Sequence, residues 1–182
     1  MQIFNRQEVL DNSEEIISKI KQGAIFIYPT DTIYGIGCNA LDERAVAKIR
    51  AIKNRPSTPL SVWVPSIAWI EENCKVAVSW LEKLPGPYTL ILPLKKKNVI
   101  AKNVSFSDTL GVRLPDHWFS ELVAKTSIPI VTTSVNVHGE PFMTSIHNLN
   151  PEIEVDFIIY EGPKEGRPSK IIDVSKGEVK ER

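Results

Sequence analysis

Two cations stand one residue apart in the segment KNRP (53–56), where a helical pattern gives way to a proline-containing loop. Lys53 offers a mobile point charge and Arg55 a planar fork of donors, a combination that suits a polyphosphate. The alternative is that Lys53 only complements the negative end of the helix dipole. That alternative explains Arg55 less well, because Arg55 lies beyond the helix. The spacing alone leaves phosphate binding and dipole complementation equally open.

A third cation, Arg113, lies in TLGVRL (109–114), a segment with the apolar pattern of a strand. An arginine in a buried strand needs an anionic partner, because an unpaired buried charge is costly. The partner is either a structural aspartate or glutamate or the carboxylate of a substrate. The sequence does not distinguish these two cases.

Polar side chains also collect where predicted strands end. Asp31 and Thr32 follow the apolar run AIFIY (24–28), a position where open α/β sheets bind ligands. The segment Ser134-Val135-Asn136 ends the strand that begins PIVTT, and Ser134 and Asn136 fall on one side of the chain. The alternative at each place is local turn chemistry, namely a polar Pro-Thr-Asp turn at 29–31 and an Asx turn at Asn136.

Several well-known catalytic patterns are missing from this sequence. It contains no G-x-x-x-x-G-K-[ST], G-x-G-x-x-G, G-x-S-x-G or H-E-x-x-H segment. Cys38 and Cys74 are isolated, and the three histidines lack metal-ligand spacing. We therefore expect no protein-bound metal and no P-loop, dinucleotide-binding or serine-hydrolase chemistry.

Alternating helical and strand patterns must position these residues. Helices are predicted after Ser13, over 42–53, after Ser66, over about 76–84 and over 118–126. Strands are predicted at 24–28, 60–64, 88–94, 109–114, 129–135, 156–160, 170–174 and 178–182. Such a mixture predicts a single α/β (α+β) domain over 1–182 with a mixed sheet.

The composition limits the function classes. The 182 residues carry 22 basic and 22 acidic side chains, so the formal net charge is zero. Nucleic-acid binding through the overall field is therefore disfavoured, although Lys95, Lys96 and Lys97 form a local candidate for RNA contact. The absence of a long apolar run or a signal-peptide pattern predicts a cytoplasmic protein without membrane segments.

Six segments, in this order, resemble the YrdC-like family of threonylcarbamoyl-AMP synthases. They are YPTDTIYGIG (28–37), KNRP with PLSV (53–62), PGPYTLIL (85–92), TLGVRLP (109–115), TTSVN with GEPFMTS (132–145) and PSKIIDV (168–174). The resemblance covers nearly the whole chain, in the short form that lacks the second domain of longer members. It implies a twisted mixed sheet flanked by helices around a concave basic cleft.

The resemblance also implies an activity and its partners. The family condenses L-threonine, bicarbonate and ATP, with Mg²⁺, into threonylcarbamoyl-AMP and pyrophosphate. A separate transferase then moves the threonylcarbamoyl group to an adenosine of certain tRNAs. By motif, Lys53 and Arg55 would be the catalytic pair on the ATP phosphates, and Thr32, Arg113, Ser134 and Ser169 would bind L-threonine. Further nucleotide contacts would come from Thr58, Thr109, Asn136, Thr144 and Arg182.

Two departures from the family pattern keep other functions open. Trp63 stands where the family usually has a histidine, and Lys170 occupies a position that usually carries a hydroxyl. Either change could alter the acyl substrate, as in the related domain of hydrogenase-maturation proteins that makes carbamoyl-AMP from carbamoyl phosphate. A second alternative is a non-catalytic RNA-binding module.

Overall fold

The computed structural model describes residues 2–180. Within this range the structure has ten strands, at Gln2–Phe4 (β1), Phe26–Tyr28 (β2), Gly35–Gly37 (β3), Ser61–Trp63 (β4), Tyr88–Pro93 (β5), Thr109–Arg113 (β6), Ile130–Ser134 (β7), Phe157–Ile159 (β8), Lys170–Asp173 (β9) and Glu178–Lys180 (β10). The α-helices are Arg6–Asp11 (α1), Ser13–Lys21 (α2), Glu43–Lys53 (α3), Ile67–Asn73 (α4), Val78–Leu81 (α5) and Phe119–Thr126 (α6), and a 3₁₀ helix spans Ile146–Asn148.

The described strands make one twisted mixed sheet in the order β1-β8-β2-β3-β7-β4-β6-β5-β9-β10. Strand pairs β1/β8, β2/β8, β4/β6 and β5/β9 are parallel, and the other neighbours are antiparallel. The predicted α/β domain with a mixed sheet and flanking helices is therefore confirmed. Among residues 2–180, no helix has both the length and the apolar content needed to cross a membrane.

Strand alternation gives the sheet two different faces. One face is apolar and belongs to a buried cluster that includes Ile36, Val62, Val112 and Val131. Part of the other face is also apolar, with aromatic and branched side chains covered by α1, α2 and α6: Phe26, Tyr28, Trp63, Ile130, Phe157 and Ile159. The rest of this second face carries mostly small and polar residues, together with Ile91 and Ile171, and remains open.

Strand β4 passes from the open part of this face to the helix-covered part within three residues. Ser61 lies in the open part, whereas Trp63 is fully buried under α6. Strand β7 does the same, since Ile130 is covered and Ser134 lines the open part. The concave surface left between the helices is where a ligand can reach the sheet.

Local signals account for several elements. Helix α3 begins after Asp42, whose carboxylate accepts hydrogen bonds from the backbone of Arg44 (2.9 Å) and Ala45 (3.2 Å). Ser66 caps α4 as predicted, accepting a 3.1 Å bond from the Trp69 backbone. The helix predicted over 76–84 is shorter, Val78–Leu81, because the chain turns before Pro85, where Leu84 bonds back to Leu81.

Strands β1 and β3 and helix α1 were not predicted from the sequence. Gly35 and Gly37 favour a strand poorly, yet β3 forms because the Tyr28 ring packs over both glycines. An added Cβ at Gly37 would lie 2.0 Å from the Val131 carbonyl oxygen, so this close approach of neighbouring strands requires glycine.

Candidate functional site

The open part of the sheet forms a cavity of about 580 Å³, a size typical of small-molecule sites. Residues from β4, β5, β6, β7 and β9 make its floor, and the segments after α3 and β7 form its walls. Its cations are Lys53, Arg55 and Lys180, and none of its described lining residues is an aspartate or glutamate. The cavity therefore favours an anionic ligand.

Lys53 is the last residue of α3 and is only 1% exposed. Asn54 follows in the left-handed conformation, with φ 48°, and turns the chain away from the helix axis. The Lys53 ammonium donates a 2.7 Å hydrogen bond to the Ser134 carbonyl oxygen and also bonds to Asn136 Oδ1. Complementation of the helix dipole does not fully explain Lys53, because its ammonium also links the end of α3 to the end of β7 in the cavity wall.

Asn136 does not use its side chain in a local Asx turn. Its Oδ1 accepts hydrogen bonds from Lys53 and from Ser134 Oγ (2.7 Å), while its Nδ2 donates to the Glu140 carbonyl oxygen (2.7 Å). Lys53, Ser134 and Asn136 thus form one network with fixed orientations. Such a network can hold a ligand oxygen without rearrangement.

Arg55 belongs to the loop that follows α3 and lines the same cavity. Its Nε is buried and has no hydrogen-bond partner within the described part of the chain. A buried donor of this kind is costly unless a ligand or water satisfies it. The neighbouring Thr58 and, from β6, Thr109 also line the cavity.

A smaller cavity of about 70 Å³ adjoins the large one, and Ser61, Thr89 and Ser134 line both. Arg113 lies in its wall, where one terminal nitrogen donates to Asp31 Oδ1 (2.9 Å) and to Thr32 Oγ1 (3.2 Å). Both side chains of this ion pair are buried, being 8% and 9% exposed. The structural partner anticipated for Arg113 is thus Asp31.

The ion pair with Asp31 occupies only part of the donor capacity of the Arg113 guanidinium. Arg113 Nε is buried without a hydrogen-bond partner among residues 2–180. Burial lowers the pKa of Arg113, and the Asp31 carboxylate opposes that shift. The remaining donor capacity of this fork suits a second carboxylate.

The loop over residues 161–169 closes the small cavity. Tyr34 donates a 2.6 Å hydrogen bond to the Gly162 carbonyl oxygen. Gly166 lies so close to the Thr32 backbone that an added Cβ would be 2.1 Å from its carbonyl oxygen. Ser169, at the end of this loop, shares a 2.8 Å hydrogen bond with Thr89. The loop therefore brings Ser169 to the predicted acyl side of the site.

The structure brings together most of the residues predicted from the sequence. The large cavity is lined by Lys53, Arg55, Thr58, Thr109, Ser134 and Asn136, and the small one by Arg113, Ser134 and Ser169. Thr32 contacts Arg113 from the neighbouring loop. Thr144 lines neither cavity, and its carbonyl oxygen accepts a bond from the Lys164 backbone. Arg182 lies outside the described residues.

Sequence reasoning missed several residues that line the large cavity. Ser61, Thr89 and Gly111 belong to the floor, and His138 and Lys180 also line the cavity. An added Cβ at Gly111 would lie 2.7 Å from Ser61 Oγ. The available signal was small or polar residues alternating with apolar ones within β4 and β6.

The two residues that depart from the family pattern line neither cavity, although Trp63 is the strand partner of Arg113, which lines the small one. Trp63 is fully buried in the helix-covered cluster and packs against Tyr28 and Phe119, with ring centroids 5.6 Å apart in each case. Lys170 is exposed and alternates with Ser169 and Ile171, which line the cavities. Neither side chain therefore contacts a ligand that occupies these cavities.

The lysine run 95–97 also lies apart from the site. It lines a separate surface hollow that shares no lining residue with either cavity. Lys95 donates to the Glu71 carbonyl oxygen, and Lys96 forms a 2.9 Å ion pair with Glu72. Two of the three lysines thus fold back onto α4.

Within residues 2–180, no three histidine, cysteine or acidic side chains are grouped as a metal site.

Comparison with known proteins adds an independent line of evidence. The Sua5/YciO/YrdC family model, described as telomere recombination, matches residues 18–181. A putative threonylcarbamoyl-AMP synthase of Methanocaldococcus jannaschii is 37% identical over 185 residues, covering 97% of this chain and 86% of that protein. The threonylcarbamoyl-AMP synthase of Pyrococcus abyssi is 34% identical over 168 residues, covering 86% of this chain. The chain spans about half of that protein, namely 49% of its length.

Solved structures agree with the sequence matches. The crystal structure of P. abyssi Sua5 complexed with L-threonine superposes with a TM-score of 0.84 at 30% identity, covering 98% of this chain and 55% of that one. The family match extends over far more than half of the sequence, and the fold agrees with it. The chain belongs to the Sua5/YciO/YrdC family.

Proposed function

We propose that this protein synthesises threonylcarbamoyl-AMP from L-threonine, bicarbonate and ATP, and releases pyrophosphate. The observation that carries the proposal is the junction of two cavities of different size and chemistry. The large cavity is cationic and suits a nucleotide, whereas the small one presents Arg113 and hydroxyl groups. Ser61, Thr89 and Ser134 belong to both linings, so two ligands bound there would meet.

Each substrate has partners in this arrangement. Lys53 and Arg55 neutralise the phosphates of ATP, and the unpartnered Arg55 Nε supplies a donor for one of their oxygens. Arg113 holds the carboxylate of L-threonine while it remains paired with Asp31. The L-threonine complex of the P. abyssi relative supports this choice of amino acid.

The reaction needs positioning and charge neutralisation more than covalent catalysis. The amine of L-threonine and bicarbonate give a carbamate with loss of water. A carbamate oxygen then bonds to the α-phosphorus of ATP as the bond to the β-phosphate oxygen breaks, and pyrophosphate leaves. Lys53, fixed by Ser134 and Asn136, opposes the charge that builds on the phosphates.

Mg²⁺ enters this scheme bound to ATP. The large cavity offers no carboxylate among its described lining residues, so its donor set does not suit a protein-held Mg²⁺ ion. The phosphates and water would therefore supply most of the ligands. The product would pass to a separate tRNA-modifying transferase.

Pyrophosphate release from Mg²⁺-ATP, measured with and without L-threonine and bicarbonate, tests the proposal. We expect release only when both are present, with little activity on serine or glycine. Release that depends on carbamoyl phosphate would indicate a carbamoyl-AMP synthase instead. Salt-sensitive RNA binding without ATP turnover would indicate an RNA-binding module. The positions of Trp63 and Lys170 outside the cavities favour the threonine reaction over the carbamoyl phosphate reaction.

A further inference from the structure

Arg50 is a buried cation whose hydrogen-bond partners are all main-chain oxygens. It lies three residues before Lys53 on α3 and is 8% exposed. Within residues 2–180 it forms no salt bridge. Its guanidinium carbon stands 4.8 Å from the centre of the Phe106 ring, itself 60% exposed. A buried charge without an acidic partner requires another explanation.

The guanidinium joins two separate backbone segments. Nη1 donates to the carbonyl oxygens of Arg55 (2.7 Å) and Thr58 (2.9 Å). Nε and Nη2 donate to the carbonyl oxygens of Asn103 (2.6 Å) and Val104 (3.2 Å). One side chain thus fixes the loop that carries Arg55 and Thr58 against the segment that leads to Thr109.

This loop has little regular structure of its own. Residues 55–60 belong to no helix or strand, and Pro56 cannot donate a backbone hydrogen bond. A loop that is free before binding must lose conformational freedom when the ligand arrives, which weakens affinity. Preorganisation of Arg55 and Thr58 therefore favours nucleotide binding.

We propose that Arg50 is a positioning residue for the nucleotide: its four hydrogen bonds to main-chain oxygens hold Arg55 and Thr58 in the geometry that binds ATP phosphates. The inference rests on the proposed function, because it takes ATP as the ligand. Lysine cannot replace Arg50 here. Its donors sit on one nitrogen, whereas the four acceptors in the two segments are shared among three nitrogens of Arg50.

Binding of Mg²⁺-ATP and of L-threonine by calorimetry tests this role, with thermal unfolding of each protein as a check on folding. The variants are Arg50→Lys and Arg50→Met, and Arg44→Met is the matched control because Arg44 is exposed on the same helix. We expect both Arg50 variants to bind ATP about tenfold more weakly or worse. L-threonine affinity and all properties of Arg44→Met should match the wild type.

Three results would overturn the inference. They are wild-type ATP affinity in Arg50→Met, full recovery of affinity in Arg50→Lys, and equal loss of ATP and L-threonine binding. Failure of both variants to fold would also overturn it, since Arg50 would then serve the whole core. A wild-type protein that binds ATP but releases no pyrophosphate would refute the proposed reaction and leave this comparison valid. Absence of ATP binding in the wild type would refute both.

Discussion

Lys53 Nζ lies 2.7 Å from the carbonyl oxygen of Ser134, although the two residues are 81 positions apart in sequence. This bond joins the end of α3 to the end of β7 at the wall of the cavity. The ammonium also bonds to Asn136, whose amide is held in turn by the Glu140 backbone. The charge that we assign to the phosphates is therefore already oriented in the protein before a ligand binds.

Replacing Lys53 tests the importance of this charge. We expect Lys53→Met to lose about 1.5–3 kcal/mol of transition-state stabilisation, the value of a charge-assisted hydrogen bond. The kcat/KM for ATP, measured by pyrophosphate release, should then fall roughly 10- to 150-fold. Lys48→Met is the control, since Lys48 is exposed on the same helix. Equal activity of both variants would contradict the assignment.

Because Gly111 has no side chain, it leaves space for a ligand at the floor of the large cavity. We expect Gly111→Ala to weaken ATP binding, because its Cβ would stand 2.7 Å from Ser61 Oγ and 3.3 Å from Thr89 Cγ2. Adding Ser61→Gly should recover part of the affinity by removing the closest atom. Calorimetric titration of the single and double variants measures both effects. No recovery in the double variant would show that the Ser61 hydroxyl is not the cause.

The ion pair between Asp31 and Arg113 should matter more to stability than a surface pair does. Asp31→Asn leaves a buried guanidinium without its anionic partner, which costs about 3–5 kcal/mol. Urea unfolding should show this loss, and the double variant Asp31→Asn/Arg113→Met should recover part of it. If the single variant is as stable as the wild type, the pair is not the main partner of the buried charge.

Trp63 should contribute to folding but not to substrate choice. Trp63→His replaces a fully buried indole with a smaller and more polar imidazole, which leaves a cavity and a poorly satisfied polar ring in the cluster. We expect the free energy of unfolding to fall by about 3 kcal/mol or more. The KM for L-threonine should stay at the wild-type value, because Trp63 lines neither cavity. A new preference for carbamoyl phosphate in the variant would contradict this placement.

Glu161 should make the protein sensitive to acid. Burial raises its pKa, but hydrogen bonds from Lys164, Trp118 and His117 outweigh that effect and lower the pKa below the usual 4.5. The unfolded chain therefore takes up the proton first as the pH falls, so the stabilisation present above pH 4.5 is lost toward the lower folded value.

Unfolding measured between pH 7 and pH 3 compares the wild type with Glu161→Gln. We expect the variant to be less stable at neutral pH, and the stability difference between the two proteins to shrink below about pH 4.5. A difference that stays constant with pH would mean that Glu161 acts through its shape and not through its charge.

Local patterns predicted most helices and strands, because their causes lie within a few residues. Asp42 marks the start of α3 and Pro56 prevents its continuation, while Ser66 marks the start of α4. The partner of Arg113 could not be chosen in the same way, since Asp31 lies 82 residues away. Only the strand order brings them together. Arg50 escaped notice for a related reason: its acceptors are main-chain oxygens, which carry no sequence signature.

Within single strands, some positions of one sheet face pack under helices and others line the cleft. This separation has an evolutionary consequence. In β4 and β7 the residues that support the helices and the residues that face the cleft are different positions of the same short segment. Mutation at Ser61 or Ser134 can therefore be selected for a new ligand while Trp63 and Ile130 continue to hold the helices in place. Relatives with this architecture can diverge in substrate without first acquiring compensating changes in their cores.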